Sequence, residues 1–341
     1  MPDKRNKYID FVKGTTIILV VLGHCIQYGS GNEYLTTEAF FSDTIFKFIY
    51  GFHMPLFMAI SGYLFYFSIN KHTLTIITEK LRGLILPLIT WHTLYQALMI
   101  LLGTSISASI FIYSYFHTLW FLRALFFCCM ISLVINRIFQ DKYYIYILVS
   151  LFLYFIPHSI IPNVFTFTAT FFIIGYLLNK YKIIQRIYNH HPRLLHVTSI
   201  ILSILYLVLL NYYEHNDYVY CSGTYLFNKD YTFGFMVFTN LYRNLTALCG
   251  CILMLYIIYV LSRYFSGGFL SLGLSRLSIS SLCIYIINNY INETLLISLP
   301  FSHINYLITI LETVIIVLIG YLTSLLCKTT KLTNLFFIGG R

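Results

Sequence analysis

Charge is the scarce ingredient of this chain. Its 341 residues include 22 Lys and Arg and 12 Asp and Glu, 10% in all, where a soluble globular domain carries about 25%. With 58% apolar residues and a mean hydropathy of +0.76, that deficit excludes a soluble single-domain enzyme, a disordered chain and a coiled coil. Paired cysteine motifs are missing as well. No CxxC occurs, Cys249 and Cys251 are too sparse for zinc, and only Cys221 lies in a long polar loop. A disulfide-stapled scaffold is therefore excluded and no metal site is expected; the other cysteines read as small buried apolar residues. A concentrated basic stripe is absent despite the net charge of +10. The basic residues are scattered through short loops and the aromatics sit in apolar runs, so no nucleic-acid partner is expected. Internal repeats and low-complexity linkers are also absent. No small-residue cleavage site follows Gly23 to Gly31, and Asp10 and Lys13 interrupt the first apolar run. The N-terminus thus reads as a retained first helix rather than a signal peptide.

What is present is apolar sequence in span-sized blocks. A membrane helix needs roughly 20 such residues. Ten blocks qualify, at 9–28, 44–68, 83–103, 117–137, 143–160, 164–181, 194–211, 243–262, 277–297 and 304–327. The expected fold is all-α, a polytopic membrane helix bundle of about ten transmembrane helices forming one domain over 1–341. Charge orients it. With the N-terminus inside, 17 Lys and Arg fall on inner segments and only Lys229 and Arg243 on outer ones. That alternation predicts an even span count with both termini cytoplasmic, in a plasma or inner membrane surrounded by membrane lipids.

The outer loop at about 212–242 holds six tyrosines, Tyr218 and Tyr220 among them, with Glu214, Asp217 and Asp230. Tyrosine beside carboxylates suits a sugar, whose C–H faces stack on the ring and whose hydroxyls donate to the oxygens. An interfacial aromatic belt has the same composition.

Ionisable groups inside spans are costly and mark function. The first helix carries Asp10, Lys13 and His24. At about 100° per residue, Lys13 and His24 lie within about 20° of each other and Asp10 about 40° away, so the three share one stripe. Lys13 and His24 stand about 16 Å apart along the axis. Arg5 and Lys13 could hold an anionic cofactor at the cytoplasmic end, while His24 acts as a base deep in the membrane. The plainer alternative is an Asp10–Lys13 ion pair and a His24 that bonds a neighbouring helix. The second span adds His53 and Pro55, which breaks the helical ladder, and Ser61-Gly62, which also suits a packing face. Lys80 and Arg82 stand at the inner surface. Trp120 and the intramembrane cation Arg123 open the fourth span from outside.

These residues, in this order, resemble the acyltransferase-3 family of integral-membrane O-acyltransferases. The motifs are Arg5…Asp10…Lys13-Gly14…Leu22-Gly23-His24, then Phe52-His53-Met54-Pro55-Leu56-Phe57…Ser61-Gly62, then Leu119-Trp120-Phe121-Leu122. Phe172-Ile173-Ile174-Gly175-Tyr176-Leu177-Leu178 is similar to a later family stretch. Short members similar to fucose 4-O-acetylases and exopolysaccharide acetyltransferases look nearest. One position departs: Asn288 stands where many members carry His.

The resemblance implies transfer of an acyl group, usually acetyl, from acetyl-CoA to a hydroxyl of a sugar or lipid-linked glycan. Arg5, Lys13, Lys80 and Arg82 would meet the donor's phosphates. His24 would deprotonate the acceptor, with Asp10 orienting Lys13 or Arg5. His53, Ser61, Trp120, Arg123, Asn288, Tyr218 and Tyr220 would border the substrate. A glycolipid transporter or flippase uses intramembrane charges too, and a non-catalytic glycan-binding relative would fit Asn288.

Overall fold

Each of the ten apolar blocks becomes a helix in the computed structural model, which describes residues 7–104, 107–264, 268–299 and 304–340. In chain order they are α1 (Lys7–Tyr28), α2 (Thr44–Ser68), α3 (Thr73–Leu101), α4 (Trp120–Ile138) and α5 (Tyr143–Leu153). Then follow α6 (Asn163–Lys180), α7 (Pro192–Asn211), α8 (Phe233–Tyr264), α9 (Phe269–Thr294) and α10 (Tyr306–Cys327). Among the described residues there is no strand. Eight of the ten are long and apolar enough to cross a membrane; α5 and α6 are the exceptions. The block expected at 143–160 yields only the 11 residues of α5, about 16 Å of helix against a hydrocarbon core of about 30 Å. Pro157 and Pro162 explain the early stop, because proline denies the α region to the residue before it. By contrast α8 begins at Phe233, ten residues before the expected 243.

Apolar side chains cover the outside of the bundle. Leu98, Leu101, Ile201, Ile204, Leu307 and Leu311 are all exposed, a surface that only lipid satisfies. The inside holds one large apolar core drawn from all ten helices. Its tightest seam joins α2 and α6. A Cβ on Gly62 would strike the Phe172 carbonyl, and one on Gly175 would strike the Ala59 carbonyl. Small residues here let two backbones touch, as is common between membrane helices. The Phe172–Leu178 stretch is thus a packing motif.

The start of α1 and the end of α10 lie on one face, since α1 runs parallel to α9 and α10 returns beside it. The short helix Lys331–Ile338 sits under α3, where Trp91 Nε1 donates to the Phe337 carbonyl at 3.0 Å and Gly339 closes on Arg82. Lys71–Glu79 and Lys180–Asp141 pairs share this inner face. At the opposite face a small second core joins Tyr34, Phe40, Phe46 and Ile49 to Tyr213 and Tyr218. The 212–232 connection is therefore fastened down. Arg243, 1% exposed, reaches from α8 to the carbonyls of Asn216, Asp217 and Gly223 and to Ser222 Oγ, at 2.7–3.2 Å. A buried guanidinium must fill its donors, and here loop carbonyls fill them.

Candidate active site

Three local irregularities shape the interior. The first interrupts α2. The helix Thr44–Tyr50 ends, Gly51 and Phe52 make a corner, and a new helix starts at His53. Pro55 has no N–H, so a carbonyl at this corner loses its helical partner. His53 Nδ1 meets the Ile49 carbonyl at 3.0 Å. A carbonyl only accepts, so Nδ1 carries the proton and neutral His53 keeps a bare Nε2. The second irregularity is a π-helical stretch, Leu81–Ile85, inside α3. Such stretches recur at functional sites. The third is Leu119, buried and left-handed at φ 52°. That conformation costs a non-glycine residue about 1–2 kcal/mol. It turns the chain so that Trp120 faces one cavity while Phe121 and Leu122 face another. The Phe121 N–H then donates to Tyr285 Oη at 3.3 Å.

The two cavities lie one above the other. The inner one is lined by Lys13, Ser61, Leu84, Phe121, Ser281 and Tyr285. It is mostly apolar, with one cation at the end near the inner face. The outer one is lined by Tyr50, His53, Trp120, Thr168, Val219 and Tyr220. Met54 lines both. His24 is in the lining of neither; it stands one turn along α1 from Val20, which lines the inner one. Its ring meets those of Tyr28 and Tyr50 edge-on at 6.3 and 6.2 Å, and Tyr50 in turn lies 4.6 Å from His53. His24 keeps accessible surface in the middle of the bundle, so it borders internal space. Asn288 of α9 contacts its Nδ1 at 2.6 Å. Its Nε2 has no hydrogen-bond partner among the described residues.

The other expected site residues divide. Asp10, 7% exposed, accepts from Ser278 Oγ at 3.1 Å and Ser275 Oγ at 3.5 Å on α9, about 21 Å down the helix from His24. Gly14 beside it touches the Leu274 backbone, so this end of the stripe is where α1 and α9 lock. Ser61 Oγ turns back to the Phe57 carbonyl at 2.8 Å while lining the inner cavity. Lys80 lies over the Phe65 ring at 5.2 Å and Arg82 is exposed, both near the inner mouth. Arg123 donates to the Thr118 carbonyl at 3.3 Å and keeps a buried, unpartnered Nε. Tyr218 is 3% exposed and donates to the Phe41 carbonyl at 3.2 Å, whereas Tyr220 is 60% exposed. Arg5 lies outside the described residues. No metal-binding cluster of His, Cys, Asp and Glu occurs among the described residues.

The sequence reading gave no site role to Met54, Tyr50, Tyr285 or Asn292, although Met54 stands inside the second-span motif. Two of them had a signal: Tyr50 stands three residues before His53, and Asn292 stands one helical turn after Asn288.

A family model described as an acyltransferase domain matches residues 6–330, nearly the whole chain. The chain belongs to the acyltransferase-3 family. Two curated relatives are nodulation proteins NolL. That of Mesorhizobium japonicum is 44% identical over 97 residues, 28% of this chain and 25% of the relative. That of Sinorhizobium fredii is 42% identical over 95 residues, again 28% and 25%. The matched stretch spans about a quarter of the length of these relatives. No solved structure matches. Within the family assignment the motifs gain a place: the His53 corner and Trp120 line the outer cavity, and His24 meets the ring of Tyr50 in its wall.

Proposed function

We propose that this chain is an O-acetyltransferase of the cytoplasmic or inner membrane. It moves an acetyl group from acetyl-CoA to a hydroxyl of a cell-surface polysaccharide or its lipid-linked precursor, and the whole chain works as one catalytic unit. The observation that supports this reading is the place of His24: one turn along α1 from Val20 of the inner cavity, which Lys13 also lines, and in ring contact with Tyr50 of the outer cavity, which His53, Trp120 and Tyr220 also line.

The donor enters from the inner face. Lys13, Lys80 and Arg82 supply cations for its phosphates, and the narrow apolar cavity accepts the uncharged arm and acyl end. The acceptor enters from the outer face, where aromatic walls stack on a sugar and His53 Nε2 and Thr168 offer hydrogen bonds. His24 Nε2 removes the hydroxyl proton as the oxygen attacks the thioester carbonyl. The C–O bond forms, the C–S bond breaks, and the leaving thiolate takes the proton back from the imidazolium. Removing the base should cost about 10²- to 10⁴-fold.

The test is isotope transfer. Membranes holding wild-type or His24→Ala protein receive labelled acetyl-CoA with host glycans present. Label in the lipid-linked or polymer fraction with wild type, and none above background with the variant, is the expected result. Normal labelling by a correctly inserted His24→Ala protein removes His24 as the base. No label from either, with insertion verified, removes the acetyl-transfer reading.

A further inference from the structure

His24 has one hydrogen-bond partner among the described residues, and it is not a carboxylate. It is the amide of Asn288, at 2.6 Å from Nδ1. Asn288 Oδ1 accepts in turn from Asn292 Nδ2 at 3.1 Å. Both asparagines are buried, at 0% and 2% exposure, on one face of α9. Two amides in series thus end on the imidazole.

The direction of that series decides what His24 can do. If the Asn288 nitrogen donates to a bare Nδ1, the neutral ring carries its proton on Nε2 and cannot accept one there. If the Asn288 oxygen accepts from Nδ1–H, Nε2 is bare and can act as a base. An amide presents both atoms, and a half-turn about its Cβ–Cγ bond exchanges them without moving the backbone. In the structure Asn288 Nδ2 faces His24 Nδ1 and Asn292 Nδ2 faces Asn288 Oδ1. Turning both amides gives the reversed series: Asn292 Oδ1, otherwise without a partner, then accepts from Asn288 Nδ2, and both bonds of the series are kept. A base at Nε2 needs this reversed series.

We infer that Asn288, braced by Asn292, is the positioning residue that holds His24 with Nδ1 protonated and Nε2 bare. The inference rests on the acyl-transfer reading above. When Nε2 takes the acceptor's proton, the same Asn288 oxygen stays bonded to Nδ1–H, so no side chain moves between the resting and the protonated ring.

The test pairs kinetics with a direct view of the ring, on the full-length protein in membranes. Asn288→Leu removes both polar atoms at similar volume; Asn288→Asp keeps an acceptor and discards the donor. The expected result is a kcat reduced about 100-fold or more in Asn288→Leu, with the donor KM within about twofold of wild type, and recovery to within about tenfold in Asn288→Asp. Asn288→Asp falling as far as Asn288→Leu while inserted and folded overturns the inference, as does a fully active Asn288→Leu. Nitrogen-15 chemical shifts of histidine-labelled wild-type protein report the tautomer without any turnover. A protonated Nδ1 on His24 supports the assignment; a neutral ring protonated on Nε2 overturns it, even if Asn288→Leu fails to fold. A wild type that transfers nothing sinks the acyl-transfer reading alone, because the tautomer measurement still decides the role of Asn288.

Discussion

The inner and outer cavities share Met54 and are both mostly apolar, yet their walls differ. The inner one carries one cation, Lys13, and is walled by helices, with the π-helical stretch contributing Leu84. The outer one is walled by helix breaks and a loop: the His53 corner, the turn at Leu119, and the segment around Val219 and Tyr220. Regular helices suit a constant ligand that differs little from one enzyme to another. Loops and corners are where chains vary most readily. Under the proposed function, this contrast fits a common acyl donor on the inner side and a particular sugar on the outer side.

The strongest test of this contrast closes the junction. Met54→Trp adds a large ring where the cavities meet, and overpacking of this kind costs about 1–3 kcal/mol in folding. Transfer should fall about 100-fold or more, since groups misplaced by about 1 Å lose that much, while binding of acetyl-CoA stays within severalfold. Titration of labelled donor into membranes checks the second part; unimpaired transfer by Met54→Trp would mean that the acyl group does not cross between the cavities.

Lys13→Ala ranks next and sharpens the inner side alone. A charge-assisted hydrogen bond contributes about 1.5–3 kcal/mol. The donor KM should rise about tenfold or more, with the acceptor KM unchanged, in initial-rate measurements varying one substrate at a time. Equal rises in both constants would place Lys13 in the packing of the bundle.

The inner half of the molecule was legible in the sequence, and the outer half was not. The stripe of Asp10, Lys13 and His24 follows from helical period alone, and the charge alternation placed both termini on one face. Period does not say what a residue touches. Asp10 turns out to lock α1 to α9 through Ser275 and Ser278, partners 265 and 268 residues away. The outer cavity depends on such long-range contacts throughout. The Leu119 conformation is invisible in a run of apolar letters, and α8 starts ten residues early because Phe233–Tyr242 was read as loop by its polar neighbours. Asn288 departs from the expected pattern but is a hydrogen-bonding side chain on its face; what the sequence could not show is that its partner is His24.

The tyrosine-rich connection gives the finest test, because sequence makes Tyr218 and Tyr220 equivalent and the fold separates them. Tyr218 packs into the outer core with Phe41, Phe46 and Tyr213. Tyr220, two residues on in the short helix Val219–Ser222, leaves most of its surface open beside the outer cavity. The clamp of Arg243 on the carbonyls of Asn216, Asp217 and Gly223 brackets this helix and fixes which ring faces inward. Tyr220→Ala should therefore raise the acceptor KM about fivefold, the worth of about 1 kcal/mol of aromatic contact, with stability and donor KM unchanged. Tyr218→Ala removes a buried ring and should lower the melting temperature first, by about 3–5 kcal/mol of folding free energy. Thermal unfolding and acceptor kinetics on the two variants check this. Tyr218 also lines the outer cavity, so if Tyr218→Ala alone raised the acceptor KM at unchanged stability, the sugar contact would pass from Tyr220 to Tyr218 within that cavity.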